Sequence, residues 1–226
     1  MFYLGLDLGD MRDFAALVII QKLRVMTENK GFPYSPVFDL RYHVRYAQRF
    51  ELGTTYPAIC EAINKLTETN ELSRQYLVIL DATGVGRPVY QLLREKKILT
   101  VPVTITAGAE EVYTPEGEYH VPKRILVSNL QVLFQTGRLK FADELPELSV
   151  LIEELQKFRA KISVSGHDTY EAWRENDHDD LVLALALAAW YAERYGQVPQ
   201  DKGRPPQTES GIEQLILGQR RSPLIR

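Results

Sequence analysis

The chain has 226 residues, 45% of them hydrophobic, 10% aromatic and 25% charged, which is the make-up of an ordinary globular protein and excludes wholesale disorder or collagen-like repeats. Its longest apolar run, residues 181–191, falls far short of the about 20 residues that a membrane span needs. A formal charge of −3 and a pI near 5.9 exclude a protein that coats nucleic acid through bulk positive charge, but not an enzyme that gathers carboxylates and touches nucleic acid locally.

Met1 runs straight into FYLGLDLG at 2–9 with no basic leader or cleavage site, so no secretory signal is expected. Alternation puts Phe2, Leu4, Leu6 and Leu8 on one face of a strand and Tyr3, Gly5, Asp7 and Gly9 on the other. A short turn at 10–13 leads to a second strand over 14–20, which predicts an antiparallel hairpin. Residues 21–36, with Gly31, Pro33 and Pro36, read as an irregular connection. Alternation resumes over 38–52. There Tyr42, Val44, Tyr46 and Phe50 share one face, and Arg41, His43, Arg45 and Arg49 share the other.

Ile59, Ile63 and Leu66 give a helix over 56–69. Cys60 lies on it and reads as a small buried hydrophobe, since one cysteine excludes an internal disulfide and a cysteine zinc site. YLVIL at 76–80 is a short buried strand that ends in Asp81, and a Gly84/Gly86 turn leads into a helix over 87–97. A further strand at 99–106 precedes an acidic, turn-rich stretch at 108–119. Pro122 opens a helix through Phe134, Gly137 breaks it, and 139–141 is a short strand. Pro146 starts a helix with Leu148, Leu151, Ile152 and Leu155 inward, and 160–173 read as a small hairpin around Gly166. The last helix, 178–194, is apolar all round and must be buried. One domain is expected over 1–195, with a polar, proline-containing tail over 196–226. Early strands followed by alternating strands and helices predict an α/β domain with a mixed sheet and helices on both faces.

Carboxylates interrupt this pattern at three places. Asp7, inside an apolar strand, is costly unless it binds something or is hydrogen-bonded to turn amides. Asp81 closes a buried strand at its carboxyl end, where open α/β sheets place ligands, and an Asx-turn is the local alternative. Asp179 and Asp180 open the last helix, where acids also serve as caps, and His178 beside them reads as a capping residue. ATGVGRP after Asp81 matches neither GxxxxGK[ST] nor GxGxxG. Together the acids suit two divalent ions, Mg²⁺ or Mn²⁺, which take carboxylate oxygens. Two such ions about 3.5–4 Å apart stabilise the attacking and leaving oxygens of a phosphoryl displacement.

Four stretches carry a resemblance: LGLDLGDMRDFAALVI (4–19), LVILDATGVGRPVYQLL (77–93), KRILVSNLQVLFQTGRLKF (123–141) and HDDLVLALALA (178–188). In order and content they resemble the nuclease domain of the large terminase subunit of tailed bacteriophages, within the ribonuclease H-like superfamily. The resemblance implies a mixed, mostly parallel sheet flanked by helices and metal-dependent endonucleolysis of concatemeric viral DNA with little sequence preference. It implies Asp7, Asp81 and Asp180 as catalytic, metal-binding acids, Asp179 as an auxiliary acid and Asp13 as a weaker further position. It also implies double-stranded DNA, an ATPase motor, the portal and the small terminase subunit as partners, with action at the procapsid in the host cytoplasm. Large terminases carry the motor ahead of this domain, and no Walker A sequence occurs here, so an excised domain or shortened relative is expected. Two other readings stay open. LGLDLG and LDATG also resemble the phosphate loops of actin-like and sugar-kinase ATPases, which need two lobes where 226 residues hold about one. A nuclease-like fold serving only for docking is the other.

Arg41, His43, Arg45 and Arg49 form the conspicuous basic strand face, and Lys123 and Arg124 at a helix start are a second DNA-contact candidate against the alternative of solvated charge. In the tail, Pro199, Pro205 and Pro206 suit an extended linker. Beyond them Ile212, Leu215 and Ile216 suit a short apolar face beside Arg220 and Arg221, which the resemblance assigns to portal docking.

Overall fold

A computed structural model describes residues 1–9, 13–30, 35–72, 75–142, 145, 147–164 and 179–197. Its centre is an eight-stranded sheet in the order β6-β7-β5-β4-β1-β2-β3-β8. The strands are β1 (Phe2–Asp7), β2 (Ala16–Lys30), β3 (Ser35–Arg49), β4 (Tyr76–Asp81), β5 (Thr100–Thr106), β6 (Val112–Tyr113), β7 (Tyr119–Pro122) and β8 (Leu139–Phe141). Parallel pairing joins β1 to β4, β4 to β5, β5 to β7 and β3 to β8, while β2 and β6 run antiparallel to their neighbours. The sheet is therefore mixed, as expected, and the carboxyl ends of β1, β3 and β4 lie along one edge.

Helices cover both faces. On one side, α1 (Tyr56–Thr67) and α2 (Gly86–Glu95) pack Ile59, Cys60, Ile63, Val89 and Leu93 against Leu4, Leu6, Leu17, Ile19, Val78 and Leu80. On the other, α3 (Lys123–Gln135), α4 (Leu148–Val164) and α5 (Asp180–Arg194) cover Tyr3, Val18, Ile20, Tyr42, Val44 and Ile79. The two faces of β1 divide as the alternation predicts. α5 is buried from Asp180 to Trp190, which is why its sequence carries no polar stripe. No described helix is long and apolar enough to cross a membrane.

α5 lies directly on β1. A Cβ added to Gly5 would stand 1.8 Å from the Ala184 carbonyl oxygen, so only glycine admits this approach. The carboxyl end of α5 is held by buried Lys22, whose Nζ donates to the carbonyls of Ala192 (2.7 Å) and Gly196 (2.9 Å). The first is among the last-turn carbonyls that a helix end leaves unpaired, and the second lies just past the end.

Several expectations are corrected. Residues 21–30 are not irregular: β2 continues to Lys30, and β3 begins at Ser35, with Leu23 and Val25 buried. The burial of Lys22 hides this alternation, because a lysine on the core face reads as a break. A register shift between Ile19 and Ile20 sets Tyr46 and then Val44 opposite consecutive residues of β2, which makes Arg45 a bulge. The bulge exchanges the two faces of β3. Tyr42 and Val44 share the α5 side with Ala47, while Tyr46 and Phe50 turn to the α1 side. The stretch at 108–119 contains β6 and opens β7. Ile152 is exposed, and Glu154 occupies the buried position on α4. Residues 160–164 continue α4 rather than start a hairpin, and the rest of that hairpin, with Pro146 and the tail from 198 onward, lies outside the described residues.

Candidate functional site

The registers place the candidate acids. Leu6 sits opposite Leu80 in the parallel β1–β4 pair, so Asp7 and Asp81 follow at the ends of adjacent central strands. Asp7 pairs with Ala16, and Ala16 pairs with Arg49. Alternation puts Asp81, Asp7, Ala16 and Arg49 in one row across four strands, on the face that α5 covers. Adjacent strands are about 4.8 Å apart, so the row spans roughly 14 Å beneath the start of α5.

Charge concentrates there. Burial, followed by the negative charges of Asp81, Asp180 and Asp179, holds the Asp7 carboxyl well above the usual carboxylate range, and Lys123 opposes the rise. Asp7 and Asp180 are both buried. Asp81 also forms the Asx-turn: its Oδ1 accepts the Thr83 amide at 2.8 Å. The turn is tight, since a Cβ on Gly86 would lie 1.9 Å from the Asp81 carbonyl oxygen. Asp179 stands at the N-cap position of α5, yet its side chain makes no cap hydrogen bond. It pairs instead with Lys123, Nζ to Oδ2 at 3.1 Å.

Sequence reasoning missed Glu154. Its Oε2 accepts the amides of Leu181 (3.1 Å) and Val182 (3.2 Å), while Oε1 pairs with the Arg49 guanidinium. Burial pushes the Glu154 carboxyl up to about 7 against the pull of Arg49 and the two amides. Arg49 Nε lies 3.8 Å from Asp180 Oδ2, and its guanidinium stacks over Phe14, 4.8 Å from the ring centroid. The signal for Glu154 was its place on α4, three residues after Leu151 on an otherwise apolar stripe.

The basic strand face does not hold together. Arg49 turns toward Asp180 because of the bulge, Arg41 donates to the Gly137 carbonyl at 2.8 Å, and Arg45 chelates Gln21 Oε1 at 2.8 and 3.0 Å. His43 is buried, and burial together with Arg45, Lys140 and Arg41 pushes its pKa down to about 4. Lys123 faces the acids rather than solvent, while Arg124 is exposed and donates to the Ala109 carbonyl at 2.5 Å. Asp13 is exposed, three residues before the start of β2. His178 lies outside the described residues.

The donor set is all carboxylate oxygen, which suits a hard divalent cation. As placed, no three acidic, histidine or cysteine side chains among the described residues close on one ion.

No curated protein sequence matches the chain significantly. Solved structures do. The large terminase nuclease from thermophilic phage G20c with bound magnesium superposes with a TM-score of 0.51 at 19% identity, covering 84% of this chain and 80% of that one. The human cytomegalovirus terminase nuclease domain, manganese-soaked, gives 0.51 at 12% identity over 87% and 85%. A second structure of that cytomegalovirus domain gives 0.50 at 12% identity over 85% and 83%. These likenesses establish the fold. The ATPase-lobe reading gains no support from them. The family model described as "Terminase RNaseH-like domain" matches residues 4–191, and the chain therefore belongs to the terminase ribonuclease H-like domain family.

Proposed function

We propose that this domain is a divalent-metal-dependent endodeoxyribonuclease that cuts concatemeric viral DNA during genome packaging. The observation that carries the reading is the register that sets Asp7 and Asp81 at the ends of adjacent parallel strands, on the face covered by the helix that Asp180 opens; the neighbouring acids hold the buried Asp7 carboxyl well above the usual range. Asp7, Asp81 and Asp180 would hold two Mg²⁺ or Mn²⁺ ions, with Asp179 auxiliary and Asp13 too exposed to be a strong candidate. Bound ions would supply a nucleophilic water and stabilise charge on the phosphoryl oxygens and leaving group. The chain's own residues fix the geometry. β1 and β4 hold Asp7 and Asp81 side by side, α5 brings Asp180 over them, and the Asx-turn spends one oxygen of Asp81 to aim the other. Lys123 pairs with Asp179 at the edge of this cluster, where its ammonium would also be placed to meet a backbone phosphate.

With a net charge of −3 the domain should bind duplex DNA weakly, because affinity follows the number of phosphates neutralised. Tethering to an ATPase motor that grips DNA would raise its effective concentration at the substrate. The family reading adds the portal and small terminase subunit as partners, docking by residues 196–226 and a site of action at the procapsid in the host cytoplasm. A non-catalytic docking domain is the second reading, favoured by the open placement of the acids. The test is Mn²⁺ titration calorimetry with plasmid cleavage for wild type and for D7N, D81N and D180N. Loss of both metal heat and cleavage in each variant supports the nuclease. A wild type that neither binds Mn²⁺ nor nicks plasmid supports docking.

A further inference from the structure

We propose that Glu154 and Arg49 are positioning residues for the Asp179–Asp180 pair, with Glu154 capping α5 from another helix so that Asp179, at the N-cap position, is not used as the cap. The proposal rests on the metal-dependent nuclease reading above. A helix opens with amides that lack intrahelical partners, and an aspartate at the N-cap position ordinarily accepts from one of them. Asp179 holds that position, with φ −117° and ψ 20°, and makes no such bond. The first-turn amides of Leu181 and Val182 donate instead to Glu154, which reaches them from α4. Asp179 is thereby left to Lys123, while Asp180 lies beside Arg49.

Arg49 completes the device. The bulge at Arg45 turns it onto the α5 side, in the row of Asp7 and Ala16. Ala16 between them has too small a side chain to separate the guanidinium from the acids. Arg49 ties down the Glu154 oxygen that the amides do not use, and its Nε stands 3.8 Å from Asp180 Oδ2. Arg49 is largely buried and braced by Phe14, so its geometry is set before any ligand arrives. The arrangement costs a buried ion pair and gives a helix start that is capped without the N-cap aspartate.

The test uses the whole chain with E154A, E154Q and R49K, and with E193Q as a control at the opposite end of α5, where Glu193 meets Tyr42 and Arg138. Two readouts apply: hydrogen exchange of the Leu181 and Val182 amides without metal, and Mn²⁺ affinity by calorimetry. Losing charge-assisted bonds should speed exchange of both amides about tenfold or more in E154A, and weaken Mn²⁺ binding by a similar factor. E154Q keeps a carbonyl acceptor but repels Arg49. It should hold amide protection within about threefold while losing part of the Mn²⁺ affinity, and it carries the test if E154A does not fold. R49K should weaken Mn²⁺ binding with the amides still protected, because a lysine does not reproduce the forked geometry. E193Q should lower the Tm and leave both readouts unchanged. Wild-type exchange and wild-type Mn²⁺ affinity in folded E154A, or in E154Q and R49K together, overturn the proposal. A wild type that binds no Mn²⁺ overturns the metal reading itself, and the exchange rates then decide the capping assignment alone.

Discussion

Replacing Gly5 by alanine tests the link between packing and site most directly. The added Cβ would stand 1.8 Å from the Ala184 carbonyl oxygen and 3.1 Å from the Ala188 Cβ. Real Cβ contacts stay beyond 3.0 Å, so β1 and α5 must separate by about 1.2 Å or more. The oxygen belongs to helix backbone, and no rotamer change can relieve the clash. Overpacking of this kind costs about 1–3 kcal/mol, which for a domain of this size lowers Tm by roughly 3–10 °C. Asp7 lies two residues beyond Gly5, and Asp180 lies one turn before Ala184, so the same displacement opens the acid cluster. A misplacement of about 1 Å in such a site costs on the order of 100-fold in rate. The assays are thermal melting by circular dichroism, Mn²⁺ calorimetry and plasmid cleavage at a temperature where the variant is fully folded. A188G added to G5A should not rescue any of them, since the backbone clash remains. Wild-type Tm with wild-type Mn²⁺ affinity in G5A would refute the direct seating of α5 on β1.

Three further outcomes are expected. D7N removes a buried negative charge from beside Asp81, Asp180 and Asp179, so its metal-free Tm at neutral pH should match or exceed that of wild type while cleavage is lost; a clear drop in Tm would show Asp7 to be a structural anchor. His43 is buried neutral, with its pKa lowered to about 4 from 6.5 by burial and by Arg45, Lys140 and Arg41. Its contribution is therefore full above pH 6.5 and lost as pH falls through 4, amounting to about 3 kcal/mol. Urea titrations at pH 6.5, 5 and 4 should show a shallower acid loss in H43Q, and equal slopes would contradict the assignment. R41A and R45A should lower Tm by breaking the bonds to Gly137 and Gln21 and leave the salt dependence of DNA binding unchanged, whereas a slope flattened by about one unit per arginine would restore both to phosphate contact.

What the sequence disclosed and what it withheld follow one physical division. Asp7, Asp81 and Asp180 were legible because each stands against a clear apolar pattern: alternation in β1, an apolar run in β4 that Asp81 ends, and an unbroken apolar run in α5 that Asp180 opens. Burial enforces those patterns, so a carboxylate within them stands out. The failures occur where a polar side chain is buried by a long-range partner. Lys22 sits on the core face because α5 ends above it with open carbonyls, and nothing near residue 22 announces a helix end 170 residues away. Glu154 sits on the inner stripe of α4 because α5 begins there with open amides. The two errors share a cause. Both ends of α5 are capped by side chains from other elements, and those side chains appear in the sequence as charged residues out of place. Arg49 shows the same limit through backbone geometry. Strict alternation puts it with Arg41 and Arg45, but one bulge reverses the phase and turns a surface cation into the neighbour of Asp180. Periodicity therefore found the elements and the acids on them, and unmet hydrogen-bonding demand at the ends of one buried helix explains the residues it misplaced.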